Sequence, residues 1–171
     1  MQGRDLHPDT SASGEEFRNS LIERVICVTH RRNPSEDEDF VDEKALTVLV
    51  VDDDASVRRA LKRLLRSNGY QVFTFASAED FLHSSSVAGE VCLVLDIRLP
   101  GMSGLDLYDN LASSGVKVPV IFMTAHDSPQ WQKMAEKAGA IAWLRKPFGE
   151  QSLLSALHLA RNRMDIEHNA Q

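Results

Sequence analysis

The sequence predicts an α/β fold in which a five-stranded parallel sheet is covered by helices on both faces. From Ala45 onward, short apolar runs rich in β-branched residues alternate five times with segments whose apolar residues recur at helical spacing. Only a few residues connect the segments, and strand–helix repeats with such short connections form parallel sheets. The flavodoxin-like, doubly wound strand order 2-1-3-4-5 with five helices is the usual arrangement at this length.

The first strand–helix repeat has clear boundaries. Residues 46–51 are apolar and largely β-branched, as expected for a strand buried on both faces. Asp54 stands at the N-cap position of the next helix, whose apolar side chains lie opposite basic ones. Asn68 and Gly69 end that helix, because this pair favours the left-handed backbone found after helices.

The other four repeats follow the same pattern. Ser77 opens the second helix, and the serine run 84–86 ends it. The remaining strands are predicted at residues 70–75, 91–95, 118–123 and 140–144. Apolar residues mark the last three helices: Leu105, Leu107, Tyr108 and Leu111, then Met134, Ala135 and Ala138 before Gly139, then Leu153, Leu154, Leu157 and Leu159.

Composition and charge predict one cytoplasmic domain with appendages. The chain has 171 residues, of which 43% are hydrophobic and 26% charged, as is typical of globular proteins. Its formal charge of −6 argues against direct DNA binding. No apolar stretch approaches the roughly 18 residues of a membrane span, and the polar first ten residues show no secretory signal. Cys27 and Cys92 lie too far apart for a C-x-x-C motif.

The first 44 residues differ from the rest of the chain. They contain six basic and eleven acidic residues, a net charge of −5, and bury too little apolar surface to offset the entropy of ordering. We expect a disordered extension at 1–44, a folded domain at 45–163 and a short tail at 164–171. An apolar patch at helical spacing is interpreted as a transient helix, a segment docked on the domain, or a partner-binding helix: Phe17, Leu21, Ile22, Val25 and Ile26.

Polar side chains stand where the predicted strands end, and ligands of such sheets bind beyond these carboxyl ends. Clustered carboxylates raise each other's pKa unless a cation lies among them, and Mg²⁺ suits carboxylate, water and phosphate oxygens. A phosphoryl group there would need the metal and an ammonium to balance its charge. Taken singly, each of these polar residues could be a helix cap, a strand residue or a surface charge. Their occurrence together at the strand ends favours a binding site. The residues are Asp52, Asp53, Asp54, Asp96, Thr124 and Lys146.

Four segments of the sequence resemble the receiver domain of two-component response regulators. They are VVDDD at 50–54, LDIRLPGMSG at 95–104, FMTA at 122–125 and RKPF at 145–148. The segments occur in the order and approximate spacing of that family, whose fold is CheY-like, and the resemblance covers about residues 46–163. The loops look most like receivers of the FixJ type.

The resemblance implies a role for the acidic residues. Asp96 would be the phosphoacceptor, forming an aspartyl phosphate with a sensor histidine kinase or a histidine phosphotransfer protein as donor. Asp53 and Asp96 would ligate Mg²⁺ together with the backbone carbonyl of Arg98. Asp52 would act through a metal-bound water.

The resemblance also implies roles for residues near the acceptor. Lys146 would pair with one phosphoryl oxygen, and Thr124 would move to hydrogen-bond another. Trp143 occupies the position of the family's switch aromatic, although packing within the strand is the plainer interpretation of this residue. Arg98 and His126 would flank the phosphoryl group and tune its hydrolysis.

The expected function is therefore signal transduction by phosphorelay. Phosphorylation would change the face made by the fourth helix, fifth strand and fifth helix, which an unidentified downstream protein reads. A homodimer is left open. Only Mg²⁺-dependent self-phosphorylation and self-dephosphorylation are expected, rather than enzymatic turnover. Because about eight residues follow Arg163, too few for a DNA-binding domain, we expect a stand-alone receiver.

Two other functions compete for the same residues. In a phosphatase of the haloacid-dehalogenase type, Asp52 would be the nucleophile and Asp54 the general acid. That chemistry needs a further acidic pair at a strand end, whereas Asp106 and Asp109 fall on the predicted third helix. A flavodoxin-like electron carrier is less favoured, because the loop after the first strand is acidic instead of a phosphate cradle.

Overall fold

The computed structural model describes residues 46–84, 90–126 and 128–169. They contain one parallel sheet with the strand order β2-β1-β3-β4-β5. The predicted fold class and strand order are confirmed. The apolar patch at 17–26 and the rest of the acidic extension lie outside the described residues. The strands are β1 Thr47–Val51, β2 Gln71–Phe75, β3 Val91–Asp96, β4 Val120–Thr124 and β5 Ala142–Arg145.

Five helices connect and follow these strands. They are α1 Ala55–Ser67, α2 Ala78–His83, α3 Gly104–Ser113, α4 Pro129–Lys137 and α5 Glu150–Asn169. The last helix continues beyond Arg163, the last residue of the predicted domain. β5 begins two residues later than predicted, because the Ala140 N–H donates to the Ala135 carbonyl and so closes the end of α4.

Local sequence signals place the helix ends. The Asp54 carboxylate accepts the N–H groups of Ser56 at 2.7 Å and Val57 at 3.4 Å, so its predicted N-cap role is confirmed. Gly69 has φ +83°, the left-handed conformation expected of the residue that ends α1. Ser103 and Ser128 cap α3 and α4, which the sequence interpretation did not identify.

The sheet separates two apolar clusters. Every residue of β1, β3 and β4 is buried. The alternate residues of each strand face opposite clusters, one formed with α2, α3 and α4 and the other with α1 and α5. Burial on both faces favours the continuous apolar runs seen in the sequence, so the first polar residues come where the strands leave the core. No helix in the described ranges is long and apolar enough to cross a membrane.

Candidate functional site

The carboxyl end of β1 brings one buried and one exposed carboxylate to the edge of the sheet. Asp52 has no exposed surface, whereas Asp53 is exposed. The Asp54 N–H donates to Asp52 Oδ1 at 2.9 Å, and Arg58 Nη1 donates to the Asp52 carbonyl at 2.6 Å. The turn between β1 and α1 therefore fixes both the backbone and the side chain of Asp52.

The end of β3 holds a second buried carboxylate, that of Asp96. The N–H of Arg98 donates to Asp96 Oδ1 at 2.9 Å. A Cβ atom on Gly104 would lie 2.1 Å from the Asp96 carbonyl oxygen, so α3 begins directly against the backbone of the site. Glycine is the residue that permits this approach.

Lys146 joins these two strand ends. Its Nζ donates to Asp52 Oδ2 at 2.5 Å and also to Asp96 Oδ2. Its backbone N–H donates to the Thr124 carbonyl at 2.7 Å, which ties the end of β5 to the end of β4. The following peptide bond, to Pro147, is cis. One ammonium thus compensates two carboxylates carried by different strands.

The pKa values at the site reflect burial and pairing. Burial raises the pKa of Asp52 above its ordinary value of 3.8, and the Lys146 ammonium only partly opposes that change. Burial alone would lower the pKa of Lys146, but hydrogen bonds to Asp52 and Asp96 raise it above 10.5. Lys146 therefore remains charged at neutral pH.

The acidic residues fit a hard divalent cation. Oxygen atoms from Asp52, Asp53 and Asp96 all lie within 4.8 Å of one another. These three carboxylates offer the oxygen ligands that Mg²⁺ prefers. Asp53 is exposed, so water molecules could complete the coordination of the ion from the solvent.

Thr124 lies beside this cluster with its hydroxyl engaged elsewhere. Thr124 Oγ1 donates to the His126 carbonyl at 2.9 Å and accepts from the His126 N–H at 3.1 Å. The Thr124 side chain is fully buried. It would have to leave these partners to contact a group on Asp96.

An exposed arginine, Arg98, lies in the loop between β3 and α3. Arg98 Nη1 lies 3.3 Å from His126 Nδ1, and its guanidinium carbon lies 5.9 Å from the centre of the Trp131 ring. The separation from the ring is within cation–π range. The side chain of Arg98 is thereby oriented over the loop after β4, a contact that no sequence signal indicated.

The structure brings four predicted site residues into one cluster: Asp52, Asp53, Asp96 and Lys146. Thr124 contacts the cluster through the Lys146 backbone. Trp143 is half-buried in β5 and packs against the core formed with α2, α3 and α4. The shared ammonium, the Arg98–Trp131 contact and the approach of Gly104 were missed, because each depends on side-chain positions or spacings set by the fold.

Replacing Lys146 with methionine should lower the free energy of unfolding by about 3 kcal/mol at neutral pH, since a buried carboxylate loses its cation. The folded-state pKa of Lys146 is raised, so its stabilising contribution is complete below 10.5 and is lost as the pH rises through the folded value. Urea titrations should show the difference between the two proteins shrinking above that pH. Lys133→Met, on the exposed face of α4, is the control. A difference that stays constant through the alkaline range would contradict the ion pair.

Comparisons with known proteins place this site in context. A family model described as the response regulator receiver domain matches residues 48–158. Nodulation protein W of Bradyrhizobium diazoefficiens is 44% identical over 124 residues, which cover 72% of this chain and 55% of that protein. The transcriptional regulatory protein FixJ of Azorhizobium caulinodans is 38% identical over 120 residues, covering 70% of this chain and 57% of that protein.

A solved structure shows the same likeness. The response regulator StyR superposes with a TM-score of 0.65 and 45% sequence identity, covering 74% of this chain and 64% of that one. The chain spans about half the length of the curated relatives it matches.

Proposed function

This chain belongs to the response regulator receiver domain family of two-component signalling, and on that premise we propose that Asp96 accepts the phosphoryl group. The observation that carries the proposal is the position of the Asp96 carboxylate, which closes β3 and shares the Lys146 ammonium with Asp52. Receiver domains of response regulators act with histidine kinases. The proposed donor is the phosphohistidine of a sensor kinase or of a histidine phosphotransfer protein.

Receiver domains bind Mg²⁺ at an acidic cluster, and this chain has one. In our proposal Asp53, Asp96 and the backbone carbonyl of Arg98 hold the ion directly, and Asp52 acts through water. When bound, the ion would supply positive charge against the phosphoryl oxygens.

The transfer itself uses the side chains of this chain. A carboxylate oxygen of Asp96 attacks phosphorus, the new O–P bond forms, and the P–N bond to the donor histidine breaks with its electron pair left on the imidazole. Lys146, which already contacts Asp96, would pair with a phosphoryl oxygen. Its charge is retained because its pKa is raised by its carboxylate partners.

Phosphorylation would then act on the loops after β4 and β5. The Thr124 hydroxyl would exchange the His126 carbonyl for a phosphoryl oxygen, and the bond between the Lys146 N–H and the Thr124 carbonyl links the two loops. Trp143 lies in β5, the strand that leads into the second of these loops, and is the proposed switch aromatic. The face formed by α4, β5 and α5 is the proposed surface for a downstream protein or a second copy.

Arg98 and His126 are proposed to tune how long the phosphoryl group survives. Their side chains contact each other beside the acceptor loop, and Arg98 also stacks on Trp131. Arg98→Ala and His126→Ala should therefore change the decay rate of the phosphorylated protein several-fold. Decay would be followed by intact mass after removal of the donor, with Lys117→Ala, an exposed residue before β4, as a control. Unchanged half-lives in both variants would remove these residues from the proposal.

Acetyl phosphate tests the proposed function without knowledge of the kinase. With Mg²⁺, the wild-type chain should gain a single phosphoryl group, mapped to Asp96 by peptide mass spectrometry, and chelation of the metal should prevent the gain. The family comparisons give no support to a phosphatase. A phosphatase would instead turn over a chromogenic phosphoester and depend on Asp52, whereas we propose no turnover beyond self-phosphorylation and self-dephosphorylation. Failure to incorporate phosphate at Asp96 would overturn the assignment.

Several finer assignments from the sequence are proposals or predictions. FixJ-type character is proposed, supported by the relative of that name and by the loop sequences. The expectation that the chain does not bind DNA directly, the cytoplasmic location and the domain boundaries at 44/45 and 163/164 stay predictions.

A further inference from the structure

One helix of the domain is strongly basic. Five of the 13 residues of α1 are arginine or lysine, and none is acidic. Leu61 and Leu65 are buried on the opposite side of the helix, among the apolar residues that α1 and α5 share. The cationic side chains therefore lie together on the outer part of α1, the basic face: Arg58, Arg59, Lys62, Arg63 and Arg66.

Most of this basic face has no acidic partner in the described part of the chain. Arg58 donates to a backbone carbonyl, and Arg59 Nη2 donates to Ser56 Oγ at 3.1 Å. No ion pair within residues 46–84, 90–126 and 128–169 involves a residue of α1. Like charges on one face repel each other, so an acidic segment placed against them would be attracted.

The chain itself carries such a segment immediately before β1. Residues 36–43 contain six carboxylates in eight positions. A single basic residue, Lys44, separates this acidic segment from the apolar sequence of the first strand. The acidic segment consists of Glu36, Asp37, Glu38, Asp39, Phe40, Val41, Asp42 and Glu43.

The topology puts the acidic segment within reach of the basic face. Thr47 at the start of β1 pairs with Gln71 at the start of β2, and α1 ends four residues before Gln71. The chain thus enters the sheet at the edge where the C-terminal end of α1 lies. Asp39 precedes Thr47 by eight positions, a distance of at most about 26 Å in extended backbone. A helix of 13 residues is about 20 Å long, so the acidic segment can reach along α1.

We propose that the acidic segment docks on the basic face of α1 within the same molecule. A tether of this length gives the segment an effective concentration on the order of millimolar, which a separate protein of similar charge would have to exceed. The contact is electrostatic, so it weakens as the Debye length falls with added salt. The docked segment would cover α1, the helix whose Arg58 side chain holds the backbone of Asp52 by a hydrogen bond.

A nitroxide placed beside the acidic segment tests the proposal in the full chain. Ser35→Cys with Cys27→Ser gives one reactive thiol, because Cys92 is buried and its pKa is raised to about 12 by that burial. The amide signals of residues 62–66 should broaden at low ionic strength. They should recover in about 0.5 M NaCl, where the Debye length is roughly 4 Å.

The tether alone keeps the label near this edge of the sheet. Matched variants therefore show which part of the broadening comes from the electrostatic contact. Neutralising the acidic run with E36Q/D37N/E38Q/D39N should lower the broadening to the level that the tether alone produces, as should R63E/R66E on the helix. E15Q/E16Q, which neutralises two carboxylates further from β1, should leave it unchanged. Equal broadening in the acidic and neutralised chains, or broadening insensitive to salt, would overturn the proposal.

A mixture of labelled and isotope-enriched unlabelled chains identifies a second copy as the occupant. Broadening of α1 in that mixture, rising with protein concentration, would mean that the basic face binds another molecule and would contradict an intramolecular contact. Sharp signals in the mixture, with broadening in the singly labelled enriched chain, are the expected result.

Discussion

Asp96→Asn is expected to abolish incorporation of phosphate from acetyl phosphate, with a loss of at least about 100-fold, since a neutral amide oxygen is a poor nucleophile. The substitution keeps the shape of the side chain and an oxygen that can accept the Arg98 N–H. It removes one of the two carboxylates that share Lys146, so that ammonium pairs with Asp52 alone. The measurement is intact mass after incubation with acetyl phosphate and Mg²⁺.

The control for Asp96 is another aspartate on a neighbouring element. Asp109→Asn changes an exposed carboxylate on α3 by the same atoms and should leave phosphate incorporation at the wild-type level. Thermal unfolding of both variants shows whether the domain remains folded. A phosphoryl group retained by folded Asp96→Asn would place the acceptor on a different carboxylate, with Asp52 and Asp53 as the candidates.

Gly104→Ala is expected to destabilise the domain by about 3 kcal/mol and to displace the loop between β3 and α3. The new methyl carbon would lie 2.1 Å from the Asp96 carbonyl oxygen and 3.0 Å from its carbonyl carbon. Both atoms belong to the backbone, so neither can rotate away as a flexible side chain would. Alanine favours helix over glycine by about 1 kcal/mol, which is smaller than the cost of moving α3 away from β3.

Thermal and urea unfolding measure this effect, and a fall in Tm of about 10 °C corresponds to the expected loss. Gly149→Ala is the matched control, because a Cβ atom there would meet no atom within 4 Å. Phosphate incorporation by Gly104→Ala should also slow, since the displaced backbone carries Asp96, the proposed acceptor. A Gly104→Ala protein as stable as Gly149→Ala would show that β3 and α3 do not approach as described.

The fold was predictable because burial on both faces of a central strand imposes an unbroken apolar run. Thr47 to Val51 and Val91 to Leu95 show this directly, and the polar residues that end them are the ones that meet at the edge. The sequence therefore identified Asp52, Asp96 and Lys146 as neighbours without any contact being known. The start of β5 was predicted two residues too early, because Ala140 and Ile141, which follow α4, are also apolar.

Other parts of the site depend on distances that no periodic pattern encodes. The Lys146 ammonium contacts two carboxylates because of the distance between the strands that carry them. Gly104 lies against the Asp96 backbone because of the angle at which α3 packs on the sheet. The contact of Arg98 with Trp131 joins residues from different loops. Side-chain packing in the finished fold sets these details, whereas residue type and spacing set the strand ends.

Both tryptophan side chains lie next to elements that we expect to change on phosphorylation. Trp131 is covered by the Arg98 guanidinium, and Trp143 sits half-buried in β5, and the sequence contains no third tryptophan. Their intrinsic fluorescence therefore reports on the loop between β3 and α3 and on β5 without an added label. Single tryptophan-to-phenylalanine variants would assign each part of that record to one location in the molecule.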